Sequence, residues 1–165
     1  MPFHFTRYGR RVADSAEAIV YGESVRAIDK QEAALEALRA RTGTLLAAAS
    51  LATAFLGGQA FHAIGSPDTR SWVGTVAFVG VAVLAVGILW PWTWIFSTSP
   101  AVLIEDHIRV VPPTAPGELR LALARSLEKH WNENEAKLNW LYWAFRAASL
   151  SLVFEIVAWL IVLGG

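Results

Sequence analysis

Three stretches of this chain, Thr42 to Ile64, Trp72 to Phe96 and Leu141 to Leu163, hold almost no charge. Each is at least the 20 or so residues that a helix needs to cross roughly 30 Å of hydrocarbon. A buried soluble core would rarely need three runs of that length. The pattern predicts an all-α membrane protein with three transmembrane helices. Charged residues crowd instead into Arg7 to Arg41 and Glu105 to Lys137. The predicted order is a basic and aromatic arm over 1–13, a stalk helix over 14–41 and a first span over 42–64. A second span over 71–96, a β element and loop over 97–116, a second stalk helix over 117–140 and a third span over 141–163 follow.

The 41 residues ahead of the first span are rich in charge, so that span is not expected to be the apolar region of a cleaved signal peptide. With no Cys among 165 residues there is no disulfide framework, thiol nucleophile or thiolate metal site. Orientation is read from Lys and Arg beside the spans. Seven precede the first span (Arg7, Arg10, Arg11, Arg26, Lys30, Arg39 and Arg41), and the segment between the second and third carries Arg109, Arg120, Arg125, Lys129 and Lys137. The loop between the first two spans has only Arg70. The N-terminus and the long second loop are therefore expected in the cytoplasm, and the C-terminus outside.

The opening MPFHFTRYGRR alternates aromatic and basic residues without a helical stripe and reads as a flexible arm. It suits anionic lipid at the inner leaflet, or phosphate contacts and stacking on a nucleotide. Asp14 or Ser15 can cap a helix that meets no proline before Pro67. Tyr21, Val25, Ile28, Leu35 and Leu38 fall near one face of it. A stalk of about 28 residues would extend about 42 Å, and its apolar stripe needs a partner helix. Leu119, Leu123, Leu127 and Trp131 supply a matching stripe after Pro116 and Gly117, and that helix should run directly into the third span. The two can pack as a hairpin or within a larger bundle. Between them AVLIEDHIRVV, β-branched and bounded by prolines, reads as a small β element, whose edge suggests pairing with itself or a neighbouring subunit. The WPWTW run with Trp140, Tyr142 and Trp143 reads as an anchor at the inner interface, and Trp72 and Trp159 as anchors at the outer one.

The third span contains one acid, Glu155, about 13 Å from its outer end, too deep for a short side chain to reach water along lipid. Steps of three and four from it give Ala144, Ala148, Ser151 and Ala158, a line of small residues; the opposite line is Arg146, Leu150, Val153, Val157 and Leu160. The first span has a similar line in Ala47, Ser50, Ala54 and Gly57 or Gly58, with Gln59 and His62 beyond it, and Gly74, Gly80 and Gly87 thin the second. Such lines allow close helix approach within and between subunits. Two readings of Glu155 are open. It can lock helix packing as a neutral, hydrogen-bonded acid, with Gln59 or His62 as the partner at similar depth, since a buried neutral acid costs less than a buried charge. Alternatively, repeated around an axis, it can form an acidic ring that draws cations into a pore with Ser151, Ser50, Gln59 and His62. Three helices cannot enclose a water path alone, so a pore requires a cyclic homo-oligomer, for which a tetramer is favoured.

Catalytic and metal motifs are lacking. Glu105, Asp106 and His107 alternate faces on the expected strand, and there is no HExxH, phosphate-binding glycine loop or nucleophile triad. No enzyme, metal or cofactor is expected. His130 and Asn134, one turn apart, can contact a ligand but suit solvent better. A small transporter subunit is disfavoured by the lack of inverted repeats and broken helices.

An approach helix ending in EALRARTGTLLAAASLATAFLGG, a tight hairpin, a short β element and then HWNENEAKLNWLYWAFRAASLSLVFEIVAWL resembles the small membrane effectors of bacterial anti-phage defence. These are the SLATT-type and Pycsar-type transmembrane effectors and the channel effector of the Hailong system. The likeness is one of layout over about Ala16 to Leu163. It implies an antiviral effector in the bacterial inner membrane, paired with a nucleotidyltransferase whose nucleotide or oligonucleotide product controls a depolarising channel. The chain departs from such effectors in having no separate sensor domain. Ligand contacts would then fall to Arg7, Arg10, Arg11, Arg109, Arg120, Arg125 and Lys129.

Overall fold

The computed structural model of the protein describes residues 5–64, 69–96 and 115–164, with side chains described from Ala16 onward except at residues 63–64 and 69–70. Helix α1 runs Phe5–Ala52, a π-helical turn Thr53–Gly57 follows, then α2 Gly58–Ile64, α3 Thr69–Leu89 and α4 Pro116–Gly164. Three segments, Ala16–His62, Ser71–Leu89 and Pro116–Gly164, are long and apolar enough to cross a membrane. No strand occurs among the described residues, and the β element expected over 97–116 lies almost wholly outside them.

Three boundaries differ from the sequence expectation. The helix opens at Phe5, so most of the segment read as an irregular arm is the first turns of α1. The second span ends at Leu89, not Phe96. Pro91 has no N–H to extend the ladder and disfavours helical backbone at Trp90, so residues 91–96 leave the helix. The released chain is pinned where the Trp92 indole N–H donates to the Gly87 carbonyl (2.9 Å). The first span is also not one unbroken α-helix, because the π turn interrupts it.

The chain divides into two compact units. One comprises Met1–Ala34 and Thr93–Lys137. Here the early part of α1 lies beside the start of α4, with Glu17 approaching Gly117 and the Gln31 side-chain amide donating to the Trp131 carbonyl (3.0 Å). Both contacts join residues one hundred apart, so the helices run parallel. Ile28, Gln31, Ala124, Leu127 and Asn134 are buried. The strip Thr93 to Phe96 is held by Asn134 Nδ2 on the Ile95 carbonyl (2.9 Å) and Lys137 Nζ on the Thr93 carbonyl (3.0 Å). Lys137 also sits 5.9 Å from the Trp94 ring, which stacks on Phe96.

The other unit comprises Leu35–Trp92 and Leu138–Gly165. Within it the end of α1, the π turn and α2 run parallel to the last part of α4, as Thr53 meets Glu155 and Gly57 meets Trp159. Helix α3 runs antiparallel to α4: Gly74 faces Trp159, Gly80 faces Ser151 and Gly87 faces Trp140. Its valines at 76, 79, 83 and 86 point outward with Leu150, Val153, Val157 and Leu160 of α4. Branched apolar side chains on the outside and small ones inside are the arrangement expected of helices packed in lipid, where close backbone approach replaces hydrophobic burial.

Candidate intramembrane site

Among the described residues, helical hydroxyls commonly donate back to the carbonyl four residues earlier, as do Thr42 to Leu38 (2.8 Å), Thr44 to Ala40 (3.2 Å) and Ser50 to Leu46 (2.8 Å). That bond satisfies a hydroxyl without help from another helix. Thr53 is different. Its hydroxyl reaches across to α4 and donates to Glu155 Oε1.

The contact depends on the π turn that Thr53 opens. Along this helix Thr42, Ala49, Gly57 and Ala60 are buried and Thr53 is half-buried. Two successive steps of four, from Ala49 to Gly57, would drift about 80° around a regular α-helix. The wider π turn takes up that drift and keeps Ala49, Thr53 and Gly57 in line. Such turns are uncommon and concentrate at functional positions.

On α4 the small-residue line faces inward. Ala144, Ala148 and Glu155 are buried and Ser151 and Ala158 half-buried, while Arg146, Leu150, Val153, Val157 and Leu160 are exposed. Arg146 lies 5.1 Å from the Trp143 ring. Glu155 itself is 0% exposed, and its Oε2 has no hydrogen-bond partner. The carboxyl is thus enclosed by its own chain. It does not stand on an outer face of the protomer, where an acidic ring between subunits would require it.

One turn further, Trp159 is also 0% exposed, with its indole N–H unpartnered. It fills the space left by two glycines. A Cβ on Gly57 would lie 3.2 Å from Trp159 Cζ2, and one on Gly74 would lie 2.6 Å from Cε2. Ala60, Val162 and Leu56 complete the cluster, and the Phe61 ring lies 6.2 Å away. This corrects the reading of Trp159 as an interfacial anchor; Trp72, 61% exposed, keeps the surface position expected of it. No family model, curated protein or solved structure matches this chain.

Other residues singled out from the sequence lie elsewhere. Of the small-residue line of the first span, Ala47, Ser50 and Ala54 are exposed, and Gly57 lies on the packing face. Gln59 and His62 are exposed as well, and Thr53 takes the place by Glu155 expected of them. Of the cations considered for ligand contact, Arg109 lies outside the described residues, as do the side chains of Arg7, Arg10 and Arg11. Arg120 is half-buried and engaged in an interaction. Arg125 and Lys129 are exposed one turn apart, Lys129 at 4.0 Å from Glu133. In the same unit His130 Nδ1 and Asn134 Oδ1 are buried without partners, in contrast to the solvated state expected of them from sequence. Among the described residues no three His, Cys, Asp or Glu side chains form a metal site, and Glu105, Asp106 and His107 lie outside them.

Sequence reasoning named Gly57 and Gly74 as positions of close helix approach but missed Thr53 and the seating of the Trp159 indole between those glycines. Trp159 carried a signal, since it stands four residues after Glu155 and so shares its face. Thr53 carried little, because a lone threonine in a span normally bonds its own helix.

Proposed function

We propose that the protein is a gated channel of the membrane, working as a homo-oligomer, in which the Thr53–Glu155 contact holds the resting state. The observation that carries this reading is the enclosed carboxyl, bonded between two spans at a π turn. An ionisable group at membrane depth is costly and is retained mainly where it acts. A π turn offers a second state close at hand. Its reversion to α-helix would rotate Thr53 and Gly57 away from Glu155 and Trp159 and release the carboxyl toward a water-filled space. There it would attract cations as an acidic ring.

The remaining parts rest on charge and on the resemblance in layout. The Lys and Arg bias supports an N-terminus and a segment before α4 on the cytoplasmic side with the C-terminus outside, and the bacterial setting rests on the resemblance alone. Control would come from a nucleotide or oligonucleotide made by a partner nucleotidyltransferase and bound on the cytoplasmic side, with a small β element over 97–116 and the basic residues as its contacts. Opening would depolarise the cell as an antiviral defence, and a tetramer satisfies the need for several subunits around one water path.

Planar-bilayer recording tests this, with cyclic and short linear nucleotides added on the cytoplasmic side. Wild type is expected to carry a cation-selective current, Glu155→Gln to lose selectivity and Thr53→Val to open more readily. Silence from all three would favour a second reading, a non-conducting membrane scaffold. That reading has its own support, since an acid wholly inside one protomer also serves as a packing lock.

A further inference from the structure

Arg146 is the single Lys or Arg inside the three apolar stretches of the chain. It lies five residues past Leu141, where the third stretch opens, or about 8 Å along the helix axis. Its side chain is exposed on the outward line of α4 with Leu150, Val153, Val157 and Leu160, the face that meets lipid when this helix crosses a membrane. A cation there needs an anion close by, because an unpaired charge among hydrocarbon is costly. The protein supplies none. Among the described residues Arg146 has no ion pair or hydrogen bond, and its guanidinium lies 5.1 Å from the Trp143 ring. Glu155, the one acid in the three apolar stretches, stands nine residues further along α4, about 14 Å away, and is enclosed against Thr53. A second copy in the same membrane has the same single acid in its apolar stretches, so it brings no counter-charge to this depth.

We infer that Arg146 and Trp143 bind the phosphate of an anionic phospholipid, in the leaflet where the third span begins. A helical side chain leans toward the N-terminus of its helix, which carries the guanidinium out of the hydrocarbon toward the headgroups. Trp143, 67% exposed, stands one turn nearer that end and takes the cation on its ring. The N–H groups along the guanidinium edge stay free, and their fork matches two oxygens of one phosphate. Trp140, 53% exposed and packed edge-on against Trp92 with centroids 5.8 Å apart, continues the aromatic surface toward the same end, as rings at headgroup level do. A zwitterionic lipid carries an ammonium that competes with Arg146 for its own phosphate, so a headgroup of net negative charge is favoured. The site requires only that the third span cross the membrane, and it holds for a channel and for a scaffold alike.

The full-length protein is reconstituted in nanodiscs of phosphatidylglycerol and phosphatidylcholine in equal parts and released into mild detergent, and the lipid that stays bound is counted by native mass spectrometry. Wild type is expected to retain phosphatidylglycerol over phosphatidylcholine, and Arg146→Gln to retain about tenfold less of it. Arg146→Lys keeps the charge without the fork and should fall between the two. Trp143→Leu, also at an exposed position, removes the ring but not the charge and should lose retention severalfold. Lys30→Gln removes a charge from an exposed position in the polar part of α1 and should match wild type. Equal retention by wild type and Arg146→Gln would overturn the inference, as would equal retention of the two lipids by wild type. Displacement of the bound lipid by excess inorganic phosphate would also overturn it, since the site would then take a free anion. So would an Arg146→Gln protein that loses oligomeric mass with its lipid unchanged, which would assign Arg146 to a contact between copies.

Discussion

The unit around Glu155 closes its helices on glycine and alanine, whereas the unit around Gln31 closes on leucine and isoleucine and leaves a groove. In the first, Gly57 and Gly74 let two helices approach near enough to grip one indole, and Ala49, Ala85, Ala144 and Ala148 are fully or nearly fully buried. In the second, Ile28, Leu127 and Ala124 make the contact, Gln31 reaches a backbone carbonyl, and Ile19 and Val20 remain outside. The contrast follows from the solvent each sequence suits. Water drives any apolar stripe together, even a loosely fitted one. Lipid offers no such drive, so helices there must fit closely or bond. Substitutions that disturb fit should therefore cost more in the unit around Glu155, and those that disturb apolar area should matter more in the unit around Gln31.

The largest effect is expected at Trp159. Truncation to Ala empties a fully buried site between three helices and should cost about 3–5 kcal/mol, read as the shift in the SDS-induced unfolding curve of the purified protein. The glycines then grade the fit. Gly74→Ala drives a Cβ against the rigid indole and should cost about 1–3 kcal/mol, and Gly57→Ala, with more room, less. Gly58 has nothing within 4 Å, so Gly58→Ala should cost nothing and serves as the internal control. Equal effects at the three positions would mean that the indole is not gripped and that the contrast between the units is wrong.

Next comes the polar contact. Thr53→Val keeps the shape and removes the donor to Glu155, leaving a second carboxyl oxygen without a partner; about 1 kcal/mol is expected. In a cycle with Glu155→Gln the two changes should be non-additive by a similar amount, because each removes the same interaction. Additive effects would separate Thr53 from Glu155.

How much of this was legible in the sequence differs between the helices. The inward face of α4 follows from Glu155 alone, since one acid among apolar residues fixes which side must avoid lipid. The first span had no such marker, and its small residues at Ala47, Ser50 and Ala54 pointed to the wrong face. Its rotation is set from outside the span. The buried positions Ile28, Gln31, Leu35, Leu38, Thr42 and Ala49 repeat in steps of three, four and seven, so the stripe of the polar segment continues into the apolar one. Trp159 was misplaced because a tryptophan near the end of a span ordinarily sits at the interface. Only the glycines of two other helices reveal the hole it fills, and no spacing within α4 encodes them. The π turn was hidden for a related reason: an extra residue per turn leaves no compositional trace.

The smallest effect sharpens the comparison from the other side. Gln31 donates to the Trp131 carbonyl, yet its own Oε1 is buried without a partner. Gln31→Leu removes a hydrogen bond and an unsatisfied acceptor together, and it adds apolar area at the seam between two helices. The lost bond is worth about 1 kcal/mol, and the relieved acceptor and the gained area offset it, so stability should change by less than about 1 kcal/mol. If close fit governed this unit as it governs the one around Glu155, the branched leucine would be rejected at a cost of about 1–3 kcal/mol, comparable to Gly74→Ala. The same unfolding titration that ranks the glycines thus distinguishes a helix pair held by area from a bundle held by fit.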